Sequence, residues 1–412
     1  MPRLRRSDPS APGIVRVRKG RGFRYVDKAG NEVTDEQTLA RIDALVIPPA
    51  WEDVWISPHP NGHIQAIGTD AAKRRQYRYH EEWRRQKDIE KFDRVLSIAE
   101  DLQAMRVVVN DQIRQRGLTE HRVLACAARL LDIGFFRIGS EEYAEANGTY
   151  GLATMRKEHV TVSGDTVTFD YKAKSGKQTL RAVVDPAVAD VVRDLLGREG
   201  DDNPELLAFW DDTPGDDGKP IGWTDVKSWD INRYLHEASG GADISAKDFR
   251  TWSATVLCSV ALAVSNEAVT SPTAVKKAIV RAVQETAHYL GNTPAVCRAS
   301  YIHPRVLDLF AGGVTIAEEL EALGEDAAFG QLAYQGAIED AVLNLLRNPE
   351  ASRAARRRQR MLEAAAKRKG SRSASSQKTN RKSPPAKRAT PKKTAAKSGG
   401  TGRRGRRAAE AA

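Results

Sequence analysis

The sequence predicts an α+β protein: a small β-rich N-terminal domain, a mainly helical domain carrying a small antiparallel sheet, and a disordered basic tail. Three observations lead there. Between residues 14 and 69, short apolar runs alternate with turn residues, as strands do. From residue 81 the apolar positions fall at helical spacing instead, as in Trp83, Ile89, Phe92, Val95, Leu96 and Ile98. From 351 to 412 the chain holds 21 Lys and Arg against Glu363 and Glu410, set among Ala, Ser and Pro, and such a segment cannot bury a core. The length of 412 residues suits roughly two or three domains. The expected divisions are a disordered basic arm at 1–12, the β-rich domain at 13–88, the helical domain at 89–350 and the tail at 351–412.

The overall charge of +11 hides an asymmetry, because the tail carries +19 and the body therefore −8. A net-acidic body with a cationic extension suggests a folded, enzyme-like core attached to a polyanion-binding segment. Cys126, Cys258 and Cys297 are scattered and form neither a disulfide framework nor a zinc pattern, so a reduced, cytoplasmic setting is expected. Residues 1–20 are basic without the apolar run of a secretory signal. The longest apolar stretch, 255–264, falls well short of the roughly 20 residues that span a bilayer. A soluble protein is expected.

In chain order, strand-like runs appear at Phe23-Arg24-Tyr25-Val26, at Ala44-Leu45-Val46-Ile47 before Pro48-Pro49, and at Val54-Trp55-Ile56, with a turn at Ala29-Gly30-Asn31 and a helix over 35–42. His59 and His63 stand four apart, but Pro60-Asn61-Gly62 between them makes a turn rather than a helical metal pair. Lys73-Arg74-Arg75-Gln76-Tyr77-Arg78-Tyr79-His80 interleaves cations, aromatics and an amide. That segment is either a solvated strand edge or a nucleic-acid contact, with cations for phosphates and Gln or Tyr for bases.

Helices are expected over 81–117 and over 119–133, the second capped by Thr119. The latter runs into Gly134-Phe135-Phe136-Arg137-Ile138-Gly139, where buried aromatics should hold Arg137 in place. Strand-like runs follow at 150–155, 159–162 and 167–172, the last ending in a tight hairpin, Ala173-Lys174-Ser175-Gly176-Lys177. Lys174 thus sits on a loop tip, where an ordinary turn lysine is equally at home. Residues 197–219 read as a solvated acidic loop, and Asp211-Asp212 and Asp216-Asp217 as part of it rather than as metal ligands.

Helices over 229–237 and 247–264 come next, and the second puts Lys247 and Arg250 on one face near its N-terminus. Cations are unhelpful there unless an anion docks. Residues 271–289 form a further helix, and 319–348 are largely helical. Val306-Leu307-Asp308-Leu309-Phe310-Ala311-Gly312-Gly313 is similar to the cofactor loop of DNA methyltransferases. It lacks the strand before it and the accompanying catalytic motif, and Pro304 suits a helix start.

The stretch over 287–304 organises the rest. Leu290-Gly291-Asn292 reads as a helix end with Gly at the cap, Thr293 as the next cap and Pro294 as the first helical position. Tyr301 follows Asn292 by nine residues, two to three turns at about 3.6 residues each, so amide and phenol can face one pocket. Read alone, this is a capped helix with a buried tyrosine, or a nucleophile with an oxyanion donor. A phenol titrates near ~10 and needs cationic neighbours to attack at neutral pH. Arg137, Arg250, Lys174 and Asn292 are the groups that can supply them: guanidiniums grip nonbridging phosphate oxygens, and a lysine protonates a leaving alkoxide.

In this order, Phe135-Phe136-Arg137-Ile138-Gly139, Lys174-Ser175-Gly176-Lys177, Lys247-Asp248-Phe249-Arg250-Thr251 and Leu290-Gly291-Asn292 through Tyr301 resemble the blocks of the type IB DNA topoisomerases, in their poxvirus-like and bacterial branch. The resemblance covers about residues 14–320. It implies a 3′-phosphotyrosyl link at Tyr301, transition-state stabilisation by Arg137, Arg250 and Asn292, and Lys174 as the acid for the 5′-hydroxyl. It implies a monomer acting on duplex DNA in the nucleoid, without ATP, metal or other cofactor. Consistently, no G-x-x-x-x-G-K-[ST] loop occurs. Gln76, Tyr77, Tyr79, Tyr143 and Lys247 would contact DNA. Viral members carry histidine where this chain has Asn292, which can donate but cannot act as an acid.

Two alternatives stand beside this reading. A site-specific tyrosine recombinase shares the catalytic core, but usually carries His where Lys247 and Asn292 stand and lacks a β-rich N-terminal part. A noncatalytic, histone-like DNA binder would act through the tail alone and leave Tyr301 dispensable.

Overall fold

The period-2 runs of the N-terminal part pair into one antiparallel sheet. In the computed structural model, which describes residues 3–265, 271–324 and 335–351, β1 (Ile14–Lys19), β2 (Gly22–Val26), β3 (Glu52–Ile56), β4 (Ile64–Thr69) and β5 (Arg75–Tyr79) lie in the order β2-β1-β3-β4-β5. Helix α1 (Glu36–Ala44) is capped by Asp35, whose carboxylate accepts from the Thr38 amide at 2.8 Å. It buries Ile42 with Ile14, Val54, Ile56 and Ala66 in a small core. The run expected as a strand at residues 44–47 instead ends α1, with Leu45 as C-cap and Val46 turned to a φ of 48°.

The arm at 3–12 is not structureless. The Arg5 amide donates to the Asn61 carbonyl (2.8 Å), the His63 amide to the Arg5 carbonyl (2.9 Å), and the Ser7 amide to His63 Nδ1 (2.8 Å). Basic composition suggested solvation, but these bonds use backbone groups, about which composition is silent.

Helix α2 (Glu81–Gln112) starts directly after β5, with His80 between them as N-cap, its imidazole accepting from the Glu82 amide at 3.1 Å. The sheet edge and a helix of 32 residues are therefore continuous chain. Helices α3 (Glu120–Gly134) and α4 (Glu141–Asn147) follow. Residues 150–155, expected as a strand, contain a 3₁₀ turn at Leu152–Thr154. Strands β6 (Val160–Ser163), β7 (Thr166–Ala173) and β8 (Lys177–Val184) form the second antiparallel sheet in sequential order. Helix α5 (Pro186–Leu196) comes next. The expected acidic loop holds a hairpin instead, β9 (Ala208–Pro214) with β10 (Pro220–Asp225). Trp210 and Trp223 face each other across it at 5.4 Å, and such aromatic cross-strand pairs stabilise hairpins whose flanks are acidic.

Helices α6 (Ser228–Ala238), α7 (Ala246–Val264), α8 (Pro272–Leu290), α9 (Pro294–Ser300), α10 (Pro304–Ala311), α11 (Ala317–Gly324) and α12 (Ala337–Arg347) complete the body. The methyltransferase-like segment is part of α10. Helix α7 is the buried axis, hiding Phe249, Trp252, Val256 and Leu262. Residues 352–412, and with them nearly all of the expected tail, lie outside the described residues. No helix among the described residues is long and apolar enough to cross a membrane.

A charged knot ties α2, α3, α7 and α12 together. Arg106 donates to both oxygens of Asp132 (2.8 Å each) and to Glu339 (2.6 and 3.0 Å), and Trp252 Nε1 donates to Glu339 at 2.7 Å. Removing the central cation leaves two buried carboxylates uncompensated. Arg106→Met should therefore lose about 3–5 kcal/mol of stability in denaturant titration. A loss below about 1 kcal/mol, typical of exposed pairs, would contradict this.

His303, the N-cap of α10, accepts from the Arg305 amide at 3.2 Å, and its ring lies 4.9 Å from that of Phe92. Burial pushes its imidazole from 6.5 down to about 4. Because the folded value lies below the unfolded one, the unfolded chain takes up the proton first. The stability that neutral His303 provides is in place above about pH 6.5 and is lost as pH falls through 4. His303→Asn, which keeps a capping oxygen, should show a flatter fall of unfolding free energy across that interval than the unmodified chain. Parallel slopes would show that His303 does not titrate there.

Candidate active site

Arg137 is placed by a strained turn. Helix α3 ends at Phe135, whose φ of 55° puts a bulky side chain in the left-handed region. The turn drives Phe136 into the core, against Phe169 at 4.7 Å and Tyr171 at 6.2 Å between ring centres. Beyond it, the Leu152 and Ala153 amides donate to the Arg137 and Ile138 carbonyls at 2.8 and 2.7 Å. That approach requires glycine on both sides: a Cβ on Gly151 would stand 2.5 Å from the Gly139 Cα, and Gly139 has a φ of 85°.

Arg250 comes from the first turns of α7. The helix start is satisfied by Asp248, which accepts from the Ser245 amide (2.9 Å) and hydroxyl (2.6 Å) and from Arg94 (2.6 Å). Arg250 itself is buried and donates to the Leu290 carbonyl at 2.7 Å and to the Phe135 carbonyl. It thus clamps the turn that carries Arg137 to the end of α8.

The α8–α9 junction forms as the sequence suggested. Gly291 caps α8 at a φ of 63°, Thr293 Oγ1 accepts from the Val296 amide at 3.3 Å, and Pro294 opens α9. Tyr301 is the C-cap of α9, only 9% exposed. Thr255 Oγ1 of α7 accepts from the His303 amide at 3.1 Å and shares its one hydrogen between the Thr251 carbonyl at 2.9 Å and the Tyr301 carbonyl at 3.3 Å.

The polar groups meet around an open pocket of about 230 Å³, lined by Arg137, Tyr143, Lys174, Lys247, Arg250 and Tyr301 among others. The Arg250 guanidinium lies 5.4 Å from the Tyr301 ring centre, and Lys174 Nζ 5.9 Å from that of Tyr143. Lys174 stands on a 3₁₀ turn, Lys174–Gly176, between the paired ends Ala173 and Lys177 of β7 and β8. Asn292 joins the group through Arg137, which donates to its Oδ1. Its Nδ2, like Nε of Arg250, is buried and finds no acceptor among the described residues. Burial alone would raise the Tyr301 pKa, but the charges of Arg250 and Arg137, with hydrogen-bonding contributions from both, bring it below its usual 10. Arg250 is in turn pushed down to about 10 by burial and by the nearby charge of Arg137. An anion between these groups would relieve both effects.

The structure brings Tyr301, Arg137, Arg250, Lys174, Lys247 and Tyr143 to this pocket, with Asn292 attached through Arg137. Gln76, Tyr77 and Tyr79 lie elsewhere, on edge strand β5, where Gln76 donates to Asp70 at 2.9 Å. The Tyr77 and Tyr79 rings stack at 5.8 Å and are exposed. Arg74, beside this strand, donates to the Tyr143 hydroxyl at 3.0 Å and so reaches the pocket wall. Sequence reasoning passed over Thr255 and Lys91, whose side chains hold the backbone around Tyr301. Neither has a local signature, because each contact joins segments far apart in the chain. Among the described residues no group of three or more His, Cys, Asp or Glu is placed to hold a metal ion.

Residues 80–325 match the family described as "Eukaryotic DNA topoisomerase I, catalytic core", and residues 22–70 match "Bacterial DNA topoisomerase IB, N-terminal domain". The chain is 32% identical over 300 residues to the DNA topoisomerase 1B of Acanthamoeba polyphaga mimivirus, covering 72% of this chain and 87% of that protein. It is 23% identical over 270 residues to the DNA topoisomerase I of Monkeypox virus, and 22% identical to the DNA topoisomerase 1B of Vaccinia virus (strain Copenhagen), covering in each case 65% of this chain and 77% of the relative. With the matched core spanning most of the helical body and the pocket within it, the chain belongs to the type IB DNA topoisomerases and is an enzyme that acts on DNA.

Proposed function

We propose that this enzyme relaxes supercoiled DNA by cutting and resealing one strand through a 3′-phosphotyrosyl intermediate at Tyr301, without ATP or metal. The observation that carries the reading is the buried phenol beside two guanidiniums, with unused donors on Arg250 and Asn292. In the forward step the Tyr301 oxygen attacks the scissile phosphorus, giving up its proton to water. The phosphorus–O5′ bond breaks, and Lys174 donates a proton to the departing 5′ oxygen. Arg137, Arg250 and the Asn292 amide donate to the nonbridging oxygens, where charge builds in the transition state. The two arginines supply the positive charge that a metal supplies in other phosphoryl-transfer sites. The freed strand rotates, and the 5′ hydroxyl then attacks the tyrosyl ester in the reverse step. Since the ester conserves the phosphodiester energy, no nucleotide is consumed.

Lys247 and Tyr143, at the pocket wall, are assigned to the DNA backbone beside the scissile phosphate. Gln76, Tyr77 and Tyr79 are assigned to the duplex as it passes the edge of the N-terminal sheet. The enzyme is taken to act as a monomer on DNA in the cytoplasm, with the Lys- and Arg-rich sequence from residue 351 adding nonspecific phosphate contacts.

Two experiments test this. In EDTA and without ATP, the full chain should relax supercoiled plasmid in steps, Tyr301→Phe should not, and Arg137→Ala or Asn292→Ala should slow cleavage by about 10²–10³-fold. Relaxation by Tyr301→Phe at the unmodified rate would contradict the assignment. Second, if the basic sequence engages about 6–10 phosphates, DNA affinity should fall about 10³–10⁵-fold between about 50 and 200 mM salt. Deleting residues 351–412 should flatten that dependence, and an unchanged slope would contradict the role given to them.

A further inference from the structure

Two peptide planes flank the Cα of Tyr301, and a different helix meets each. The plane after it, carrying the Tyr301 carbonyl, faces Thr255 Oγ1 of α7 at 3.3 Å, a hydroxyl that shares its one hydrogen with the nearer Thr251 carbonyl at 2.9 Å and accepts from the His303 amide at 3.1 Å. The plane before it, carrying the Ser300 carbonyl, accepts from Nζ of Lys91, in the third turn of α2. The Tyr301 and Ile302 amides both donate to the Cys297 carbonyl, at 3.0 and 3.1 Å, so the turn is closed from inside as well. The backbone at Tyr301 is not helical, with φ −126° and ψ −36°, and α9 before it has seven residues. So short a helix is marginal by itself, and its last carbonyls need partners from outside. A cation at a helix C-terminus is the favourable choice.

Lys91 is no ordinary surface lysine. It is partly buried, its Nζ lies 4.3 Å from the Phe92 ring centre, and Phe92 packs on His303, two residues past Tyr301. Burial and the charge of Lys247 lower its pKa, and it feels the charge of Tyr301 itself. Its helix is also the one that leaves edge strand β5 with a single residue, His80, between. A DNA duplex seated on Tyr77 and Tyr79 would bear directly on the start of the helix that holds the nucleophile.

We infer that Lys91 is a positioning residue for Tyr301, fixing the peptide that precedes the nucleophile and linking its aim to the DNA-contacting sheet through α2. The inference rests on the phosphotyrosyl reading given above. Its role is the placing of the attacking atom, distinct from the transfer of protons to the leaving group. The same backbone placement serves cleavage and resealing, so loss of Lys91 slows both.

The test uses the full chain and a duplex oligonucleotide under single-turnover conditions. Lys91→Ala should lower the cleavage rate about ten- to a hundredfold, the rate equivalent of one charged hydrogen bond, with duplex affinity unchanged. Lys91→Arg should restore most of the rate. Lys91→Met keeps the aliphatic stem over Phe92 and should show the same loss should Lys91→Ala unfold. A substrate with sulfur at the bridging 5′ position separates the two roles, because a thiolate leaves without a proton. It should relieve Lys174→Ala but not the Lys91 variants. Unmodified rates in Lys91→Ala and Lys91→Met, relief of their defect by sulfur, or a defect confined to affinity would each overturn the inference while leaving the phosphotyrosyl reading intact. If the unmodified chain forms no covalent adduct at all, that reading falls, and the inference with it.

Discussion

Placing two guanidinium groups beside a buried phenol is electrostatically costly. Arg137 and Arg250 repel each other, burial and that repulsion depress the Arg250 pKa to about 10, and a donor on each of Arg250 and Asn292 has no acceptor among the described residues. The surrounding structure holds that unfavourable arrangement in place. In the proposed reaction a phosphodiester would bring negative charge and acceptors, and the site would favour it most strongly when its charge is greatest.

Much of the scaffold can be read as support for these groups. The left-handed Phe135 and the Gly139–Gly151 contact are local strain accepted in order to aim Arg137. Arg250 reaches the Phe135 and Leu290 carbonyls, so one side chain fastens the turn before Arg137 to the helix end before Asn292. Thr255 then fastens the backbone just after Tyr301, through the His303 amide, to the helix that carries Arg250. Three segments far apart in sequence become one rigid frame through side-chain bonds to backbone. The Arg106–Asp132–Glu339 knot joins the helices behind it.

The parts of this site legible in the sequence were those with local signatures. Gly291, Thr293 and Pro294 announce a helix end and a helix start, which is why the junction before Tyr301 could be drawn in advance. The Lys174 hairpin tip and the cations opening α7 were legible for the same reason. What remained hidden depends on contacts without local pattern. Lys91 reads as one more helix-surface lysine until Ser300 is brought against it. Asp211 and Asp212 suggested a loop because the paired tryptophans that hold β9 to β10 are tertiary partners. The arm before residue 13 looked like solvent-exposed chain because its order comes from backbone bonds to residues 61–63.

Trapping the covalent complex tests the role of Tyr301 most directly. The full chain would be mixed in EDTA with a duplex labelled separately at each end of the cleaved strand, then quenched with detergent and digested. The expected adduct keeps the upstream DNA fragment, joined by its 3′ phosphate to the peptide containing Tyr301, and leaves a downstream fragment with a free 5′ hydroxyl. Attachment through a 5′ phosphate, or at a residue other than Tyr301, would contradict the 3′-phosphotyrosyl reading.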